Sequence, residues 1–246
     1  MLNWFNKKSP TPANYSFLTA DMHAHLLPGI DDGAPNLETS LDMLRKMAEM
    51  GYQRVVATPH VYKEFYPNTS EVILTKLAEL RRAAQQAQIS LQIDAAAEYF
   101  LDSHFETLLA NDDILALPGN FVLVEMSFID SYPSFRQVIF DLQLKGYRPI
   151  LAHPERYAYL CNDTRELSRI VDAGCRLQVN LLSLGGHYGP MARTSAEKMI
   201  KKGLVSMLGT DAHNLKHLAE LSSIIKSSSV RSLLGGVEWE NNKVQG

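Results

Sequence analysis

"FVLVEMSFIDSYPSFRQVIFDLQLKGYRPILAH", residues 121–153, decides the architecture. It opens on the apolar run FVLVE and closes on RPILAH. Between them, SFRQVIFDLQLKGY carries apolar residues at helical spacing and passes through Gly146, a residue suited to ending a helix. Two near-continuous apolar runs read as strands buried on both faces, and a helix joining them makes a parallel β-α-β unit. Each run also ends on an ionisable residue, Glu125 and His153.

The alternation extends in both directions. SFLTADMHAH (16–25), RVVAT (54–58), LQIDAAA (91–97), RLQVN (176–180) and LVSMLG (204–209) read as further strands, seven in all. LETSLDMLRKMAEMGY, SEVILTKLAELRRAAQQAQ, TRELSRIVDAG and TSAEKMIKKG read as amphipathic helices between them. This is an α/β chain with a parallel sheet covered on both sides. No Gly/Ser-rich linker divides it, so one domain is expected, a closed or nearly closed barrel of seven βα units. Pattern alone also allows an open, doubly wound sheet. The expected boundaries are an N-terminal tail over 1–16, a barrel over 17–235 and a C-terminal tail over 236–246.

Composition narrows the class. The chain has 246 residues, 46% of them hydrophobic, enough for a substantial core. A net charge of −3 offers no bulk attraction to nucleic acid or an anionic membrane. The two cysteines, Cys161 and Cys175, make no disulfide framework and fit a reducing cytoplasm. MLNWFNKKSP lacks the apolar segment of a secretory signal, and no run reaches membrane-spanning length. Trp4, Phe5, Lys7 and Lys8 read as part of an exposed tail. No nucleic-acid partner and no stable membrane insertion are expected, and self-association stays open.

The polar residues at the strand ends carry the chemistry. His23 and His25 stand two apart on the first strand and share a face. Asp31 and Asp32 follow in the next turn; His60 follows VVATP, Glu98 follows QIDAAA, and Asp211 and His213 follow VSMLGT. In parallel α/β folds the carboxyl ends of the strands converge on one mouth. His23, His25, Asp32, His60, Glu98, Glu125, His153, Asp211 and His213 are thereby aimed at one place. Burying so many ionisable groups without compensation costs several kcal/mol apiece by rough account. Metal cations are the economical compensation, and imidazole with carboxylate and no thiolate points to zinc, manganese or iron. At roughly three to five protein ligands per ion, nine candidates imply two or three divalent ions.

DMHAHLLPGIDDGA, ATPH, AAEY, LAHPERY and GTDAHN together resemble the PHP (polymerase and histidinol phosphatase) superfamily. Within it they are most similar to the CpsB/CapC type, the bacterial tyrosine-protein phosphatases of capsular and exopolysaccharide systems. The resemblance spans about residues 19–215 and implies a distorted (β/α)7, TIM-like barrel of the PHP type. It implies one ion held by His23, His25, Glu98 and Asp211, and a second reached through bridging Glu98 and bound by Glu125 and His153. Asp32, His60 and His213 would hold a third, with Asp31 beside a ligand and Gly29 and Gly33 letting the loop turn back. Manganese is the first expectation, with iron and zinc behind it. Arg156 is the expected catalytic and phosphate-binding guanidinium. Family members often carry another arginine soon after the DxH motif. DAHNLKHLAEL offers Lys216 and His217 instead, so Lys216 becomes the candidate for that contact. Tyr62, Lys63, Phe65 and Tyr66 in HVYKEFYPNTS could flank an aromatic phosphoester, with lid movement or ordinary packing as the competing reading.

The function expected is removal of phosphate from phosphotyrosine in a protein, the tail of a membrane-associated tyrosine autokinase that controls polysaccharide export. The nucleophile expected is a water shared between two cations. A cysteine-based phosphatase needs an arginine six residues after its cysteine, and Leu167 and Leu181 occupy those offsets. A histidinol-phosphate phosphatase is the alternative. A polymerase-type exonuclease is opposed by the acidic balance. A metal-bearing scaffold would have no use for the ligand set with Arg156.

Overall fold

The computed structural model describes residues 13–161 and 163–244. Trp4, Phe5, Lys7 and Lys8 lie outside the described residues. The fold is mixed α/β with a curled array of parallel strands. These are β1 (Ala20–Ala24), β2 (Arg54–Ala57), β3 (His60–Val61), β4 (Gln92–Ala95), β5 (Glu98–Phe100), β6 (Phe121–Glu125), β7 (Arg148–Ala152), β8 (Arg176–Asn180) and β9 (Met207–Gly209). One ladder runs β1-β2-β4 and the other β3-β5-β6-β7-β8-β9, every pairing parallel.

Two of the seven expected strands are broken. RVVAT stops at Ala57 and resumes as β3, because Pro59 has no N–H to give to a ladder. LQIDAAA stops at Ala95 and resumes as β5 at the same level. Hydrogen bonds from Ala96 N to Ala57 O (2.8 Å) and Glu98 N to Pro59 O (3.1 Å) hold the two interrupted strands together. The first strand is also shorter than SFLTADMHAH. Its far end meets the chain after β9 through a parallel bridge, Ala24 with Ala212, flanked by Asp211 N to His23 O and His25 N to Ala212 O.

The helices are α1 (Leu37–Glu49), α2 (Ser70–Gln86), α3 (Ser103–Ala110), α4 (Phe135–Leu144), α5 (Thr164–Asp172), α6 (Leu181–Gly185), α7 (Gly189–Lys201), α8 (Leu215–Ile224) and α9 (Ser228–Leu234). Asn36, Thr69, Asp102, Asp163, Asn180 and Asn214 each accept a backbone N–H in the first turn that follows, which is why the helices start there. Their apolar faces pack on the strands in one large core.

A smaller apolar cluster joins Met22, Val56, Leu123, Ile150 and Met207, from five strands, to Val244. The expected C-terminal tail is therefore built into the fold. Trp239 and Asn241 are buried, and Asn241 donates to Ala20 O and Leu208 O while accepting from Leu208 N. It ties β1 to β9 where no ladder does. The expected N-terminal tail likewise ends early, since Tyr15 is fully buried and stacks on Tyr52. No helix among the described residues is long and apolar enough to cross a membrane.

Candidate metal centre

Because every strand pairing is parallel, the carboxyl ends lie on one side, and the expected ligands come with them. His23 is on β1, His25 just beyond it, and Asp31 and Asp32 are in the following loop. His60 opens β3, Glu98 opens β5 and Glu125 ends β6; His153 follows β7, and Asp211 and His213 follow β9. They meet at the floor of a hollow of about 690 Å³. Asp32 reaches it because its loop doubles back: Gly29 adopts φ +70, and a Cβ at Gly33 would collide with the His25 carbonyl. His153 and Asp211 hold left-handed backbone at φ 34 and 49, uncommon for such residues and typical of functional sites.

Three overlapping donor groups form, each with its atoms within 4.8 Å of one another: His23, His25, Glu98 and Asp211; His25, Asp32, His60 and His213; and His60, Glu98 and Glu125. In the first, Nε2 of His23 stands 3.2 Å from Glu98 Oε2 and 3.4 Å from Asp211 Oδ1. Nε2 of His25 stands 3.4 and 3.2 Å from the same two oxygens. Ligand atoms bound at about 2.0–2.2 Å to one ion sit about 3.0–3.4 Å apart, so these spacings match the edges of a coordination shell.

The second expected set, Glu98, Glu125 and His153, comes together, and His60 joins it. His60 Nδ1 lies 3.2 Å from Glu98 Oε2 and 3.0 Å from Glu125 Oε1, whereas His153 Nε2 is 2.9 Å from Glu98 Oε1 and 3.9 Å from Glu125. Both imidazoles thus reach the Glu98 and Glu125 carboxylates. The His60 ring serves both sides, since its Nε2 is 3.5 Å from Asp32 Oδ1.

Hydrogen bonds prepare several imidazoles for ligation. His23 Nδ1 donates to Gln178 Oε1 (3.0 Å), His25 Nδ1 to Asp31 Oδ2 (2.7 Å) and His213 Nδ1 to the Asp211 carbonyl (2.8 Å). In the neutral ring each such bond leaves the Nε2 lone pair facing the cluster. Gln178 carried no signal in the sequence beyond its place on a strand. Asp31 also accepts from Gly33 N and His60 N, fixing the loop.

The residues fit divalent cations. His23 Nε2, His25 Nε2 and Glu98 Oε2 are fully buried and have no hydrogen-bond partner, a costly state unless something else binds them. Without cations, protons supply the positive charge. Burial lowers the His23 pKa, but the charges of Glu98 and Asp211 outweigh it and raise the value to about 9. His25 is raised likewise against its burial, chiefly by Asp31. Burial pushes Glu98 and Asp211 up, but the imidazolium charge of His23 prevails and holds both well down. Asp32, whose side chain is 51% exposed, is lowered to about 2 by His213 and its neighbours despite partial burial.

Arg156 stands at the hollow's edge with Nη1 on Asp211 Oδ2 at 2.9 Å. Asn180 Nδ2 binds the same oxygen at 2.8 Å, leaving Oδ1 to the histidines. The guanidinium is stacked between Phe128 and Tyr188, 4.6 and 4.1 Å from their ring centres. Sequence reading missed Asn180, Phe128 and Tyr188, since nothing local ties them to Arg156. Tyr62 lines the hollow and stacks on Phe100 at 4.1 Å. Lys63 and Lys216 are exposed and outside its lining; His217, one helical step on, lines it instead. Cys161 and Cys175 are buried outside the metal cluster. Cys161 donates to the Glu155 carbonyl, and burial pushes the Cys175 thiol up to about 12.

Known proteins resemble this chain in sequence and in fold. The tyrosine-protein phosphatase YwqE of Bacillus subtilis is 31% identical over 198 residues, covering 80% of this chain and 78% of that one. The tyrosine-protein phosphatase CpsB of Streptococcus pneumoniae is 26% identical over 201 residues, 79% of this chain and 83% of its own. A structure from work on YwqE and CpsB, described there as unique metal-dependent tyrosine phosphatases, superposes with a TM-score of 0.77 at 28% identity. It covers 87% of this chain and 90% of that one. Residues 19–227 match the family described as "Capsular polysaccharide synthesis, CpsB/CapC", and the chain belongs to that family.

Proposed function

We propose that this protein is a metal-dependent protein-tyrosine phosphatase serving capsular or exopolysaccharide synthesis. The observation that carries the reading is the set of buried, unpartnered Nε2 and Oε2 atoms converging under an open hollow. Membership of the CpsB/CapC family supports the phosphotyrosine substrate. In this reading His23, His25, Glu98 and Asp211 hold one ion. Glu98, Glu125 and His153, with His60 alongside, hold a second, and Asp32, His60 and His213 a third. Bound there, two or three divalent cations, manganese before iron or zinc, supply water acidified to near-neutral pKa and neutralisation of phosphate oxygens.

The chain's own residues do the rest. Gln178, Asp31 and the Asp211 carbonyl keep three imidazoles in their ligating tautomer. Arg156, anchored through Nη1, turns its remaining N–H groups to a phosphate oxygen as charge develops. Tyr62 and Phe100 flank the aryl group of the substrate. In this reading β2 with β3 and β4 with β5 count as single strands of a distorted seven-stranded barrel, supported by the Ala24–Ala212 bridge between its first and last strands. The physiological substrate in this reading is the tyrosine-bearing tail of a membrane-associated autokinase, met in the cytoplasm.

The test compares a phosphotyrosine peptide, a phosphoserine peptide, histidinol phosphate and single-stranded DNA on metal-loaded protein. The phosphotyrosine peptide is expected to lead phosphoserine peptide and histidinol phosphate by about tenfold or more in kcat/KM. A better rate on histidinol phosphate would overturn the substrate while leaving the metal phosphatase standing.

A further inference from the structure

A second hollow, of about 290 Å³, adjoins the first, and Phe128, Arg156 and Tyr188 line both. Its other walls are Glu155, Ala158, Cys161, Met191 and Ala192. The shared wall is firmly built. Met126 N donates to Tyr157 Oη (3.1 Å), Ala158 N to Phe128 O (3.3 Å) and Tyr159 Oη to Ser127 O (3.0 Å). These bonds pin the loop that carries Phe128. Asn180 Nδ2 donates to Tyr188 Oη at 3.1 Å and pins the opposite ring. Arg156 lies between the two rings. Walls fixed before a ligand arrives spare it the cost of ordering them.

Several polar groups of this hollow are spent on the protein, although Glu155 Oε2 is buried without a partner. The Cys161 thiol donates to the Glu155 carbonyl, and Glu155 Oε1 accepts from Asn180 N and Ser183 Oγ. What opens to solvent is chiefly apolar, with Met191 60% exposed and Phe128 42% exposed beside the hollow. Apolar side chains left open next to a reaction centre mark a contact surface.

We infer that the second hollow receives one apolar side chain of a peptide substrate, from a residue flanking the phosphorylated one; this rests on the phosphotyrosine-protein reading above. Continuity selects the occupant. A phosphorylated chain entering the central hollow must leave over its rim, and the rim of Phe128, Arg156 and Tyr188 leads directly into the second space. Small-molecule pockets start at about 300 Å³, so this one has room for a single side chain rather than a second ligand.

The test uses full-length, metal-loaded protein and peptides carrying a non-hydrolysable phosphonate in place of phosphotyrosine. Leu or Ser is placed in turn at the two positions on either side, and Kd is measured calorimetrically. Leu at one position is expected to bind about fivefold or more tighter than Ser. Ala158→Trp, at an exposed position, narrows the hollow and should erase that preference. Met191→Glu, which sets a carboxylate at its edge, should do the same. In both variants the ratio of kcat/KM for the Leu phosphotyrosine peptide to that for 4-nitrophenyl phosphate should fall. Absence of any flanking preference, or its survival in both variants, overturns the inference while the phosphatase reading stands. Failure to bind these peptides by a protein that hydrolyses another phosphomonoester overturns both.

Discussion

At the residue scale, the centre depends on donors whose orientation other residues set. Asp31 holds His25 Nδ1 at 2.7 Å without belonging to any donor group. Asp31→Ala should weaken metal binding by about 10–100-fold with all ligands present, measured by competition with a chelator. Glu98 belongs to two groups, so Glu98→Gln should lose metal and activity together, read by elemental analysis and turnover. Arg156→Ala should slow turnover by about a hundredfold or more, the scale of one lost transition-state contact. Its metals should stay, because Asn180 still holds Asp211 Oδ2. Normal turnover in that variant would make the guanidinium merely structural. The HxH pair, Asp32, His60, Glu98, Glu125, Asp211 and His213 were legible because their distances from apolar runs are local facts. The place of Lys216 was not legible for the converse reason: which face of α8 meets the hollow depends on how that helix packs, and His217 lines the hollow while Lys216 does not.

At the element scale, the break after β2 and the short 239–244 segment do the unexpected work. Pro59 ends one ladder, and β3 starts another with His60 as its first residue, which lets that ring reach two donor groups. On the other side, Asn241 supplies three hydrogen bonds to the backbones of β1 and β9. Asn241→Ala leaves those buried groups unsatisfied and should cost about 2–4 kcal/mol, measured by denaturant unfolding. An unchanged midpoint would show that Trp239 and Val244 alone secure the segment. Apolar periodicity predicted α1, α2, α4, α5 and α7 because it is written along one chain, but it did not single out α3, α6, α8 and α9. The docking of a polar 240–243 stretch is written in the strands that receive it.

At the scale of the whole molecule, charge links the centre to stability. In the metal-free protein the His23 pKa is raised to about 9. Its contribution to stability is full below the unfolded value of about 6.5 and is lost as pH rises through 9. Asp32, lowered to about 2, contributes above its unfolded value of 3.8 and loses that contribution on acidification towards 2. Metal-free protein should therefore lose thermal stability between pH 7 and 9. Loaded protein should lack that alkaline loss, because its imidazoles have already given up their protons. Loading at pH 7 should release protons, detected as a dependence of calorimetric heat on buffer ionisation enthalpy. A loading heat independent of buffer would contradict the proton-for-metal exchange.

By itself the sequence determined the parallel α/β class, the mouth at the strand carboxyl ends and the donor chemistry. Each of these follows from periodicity and short spacing, which backbone geometry converts directly into faces and ends. Only the tertiary structure decided that His60 joins His153 at Glu98 and Glu125, that Arg156 is stacked between Phe128 and Tyr188, and that the 239–244 segment packs against the strands. Those are contacts between residues far apart in the chain. Their distances depend on strand breaks, loop paths and helix rotation, which no local spacing encodes.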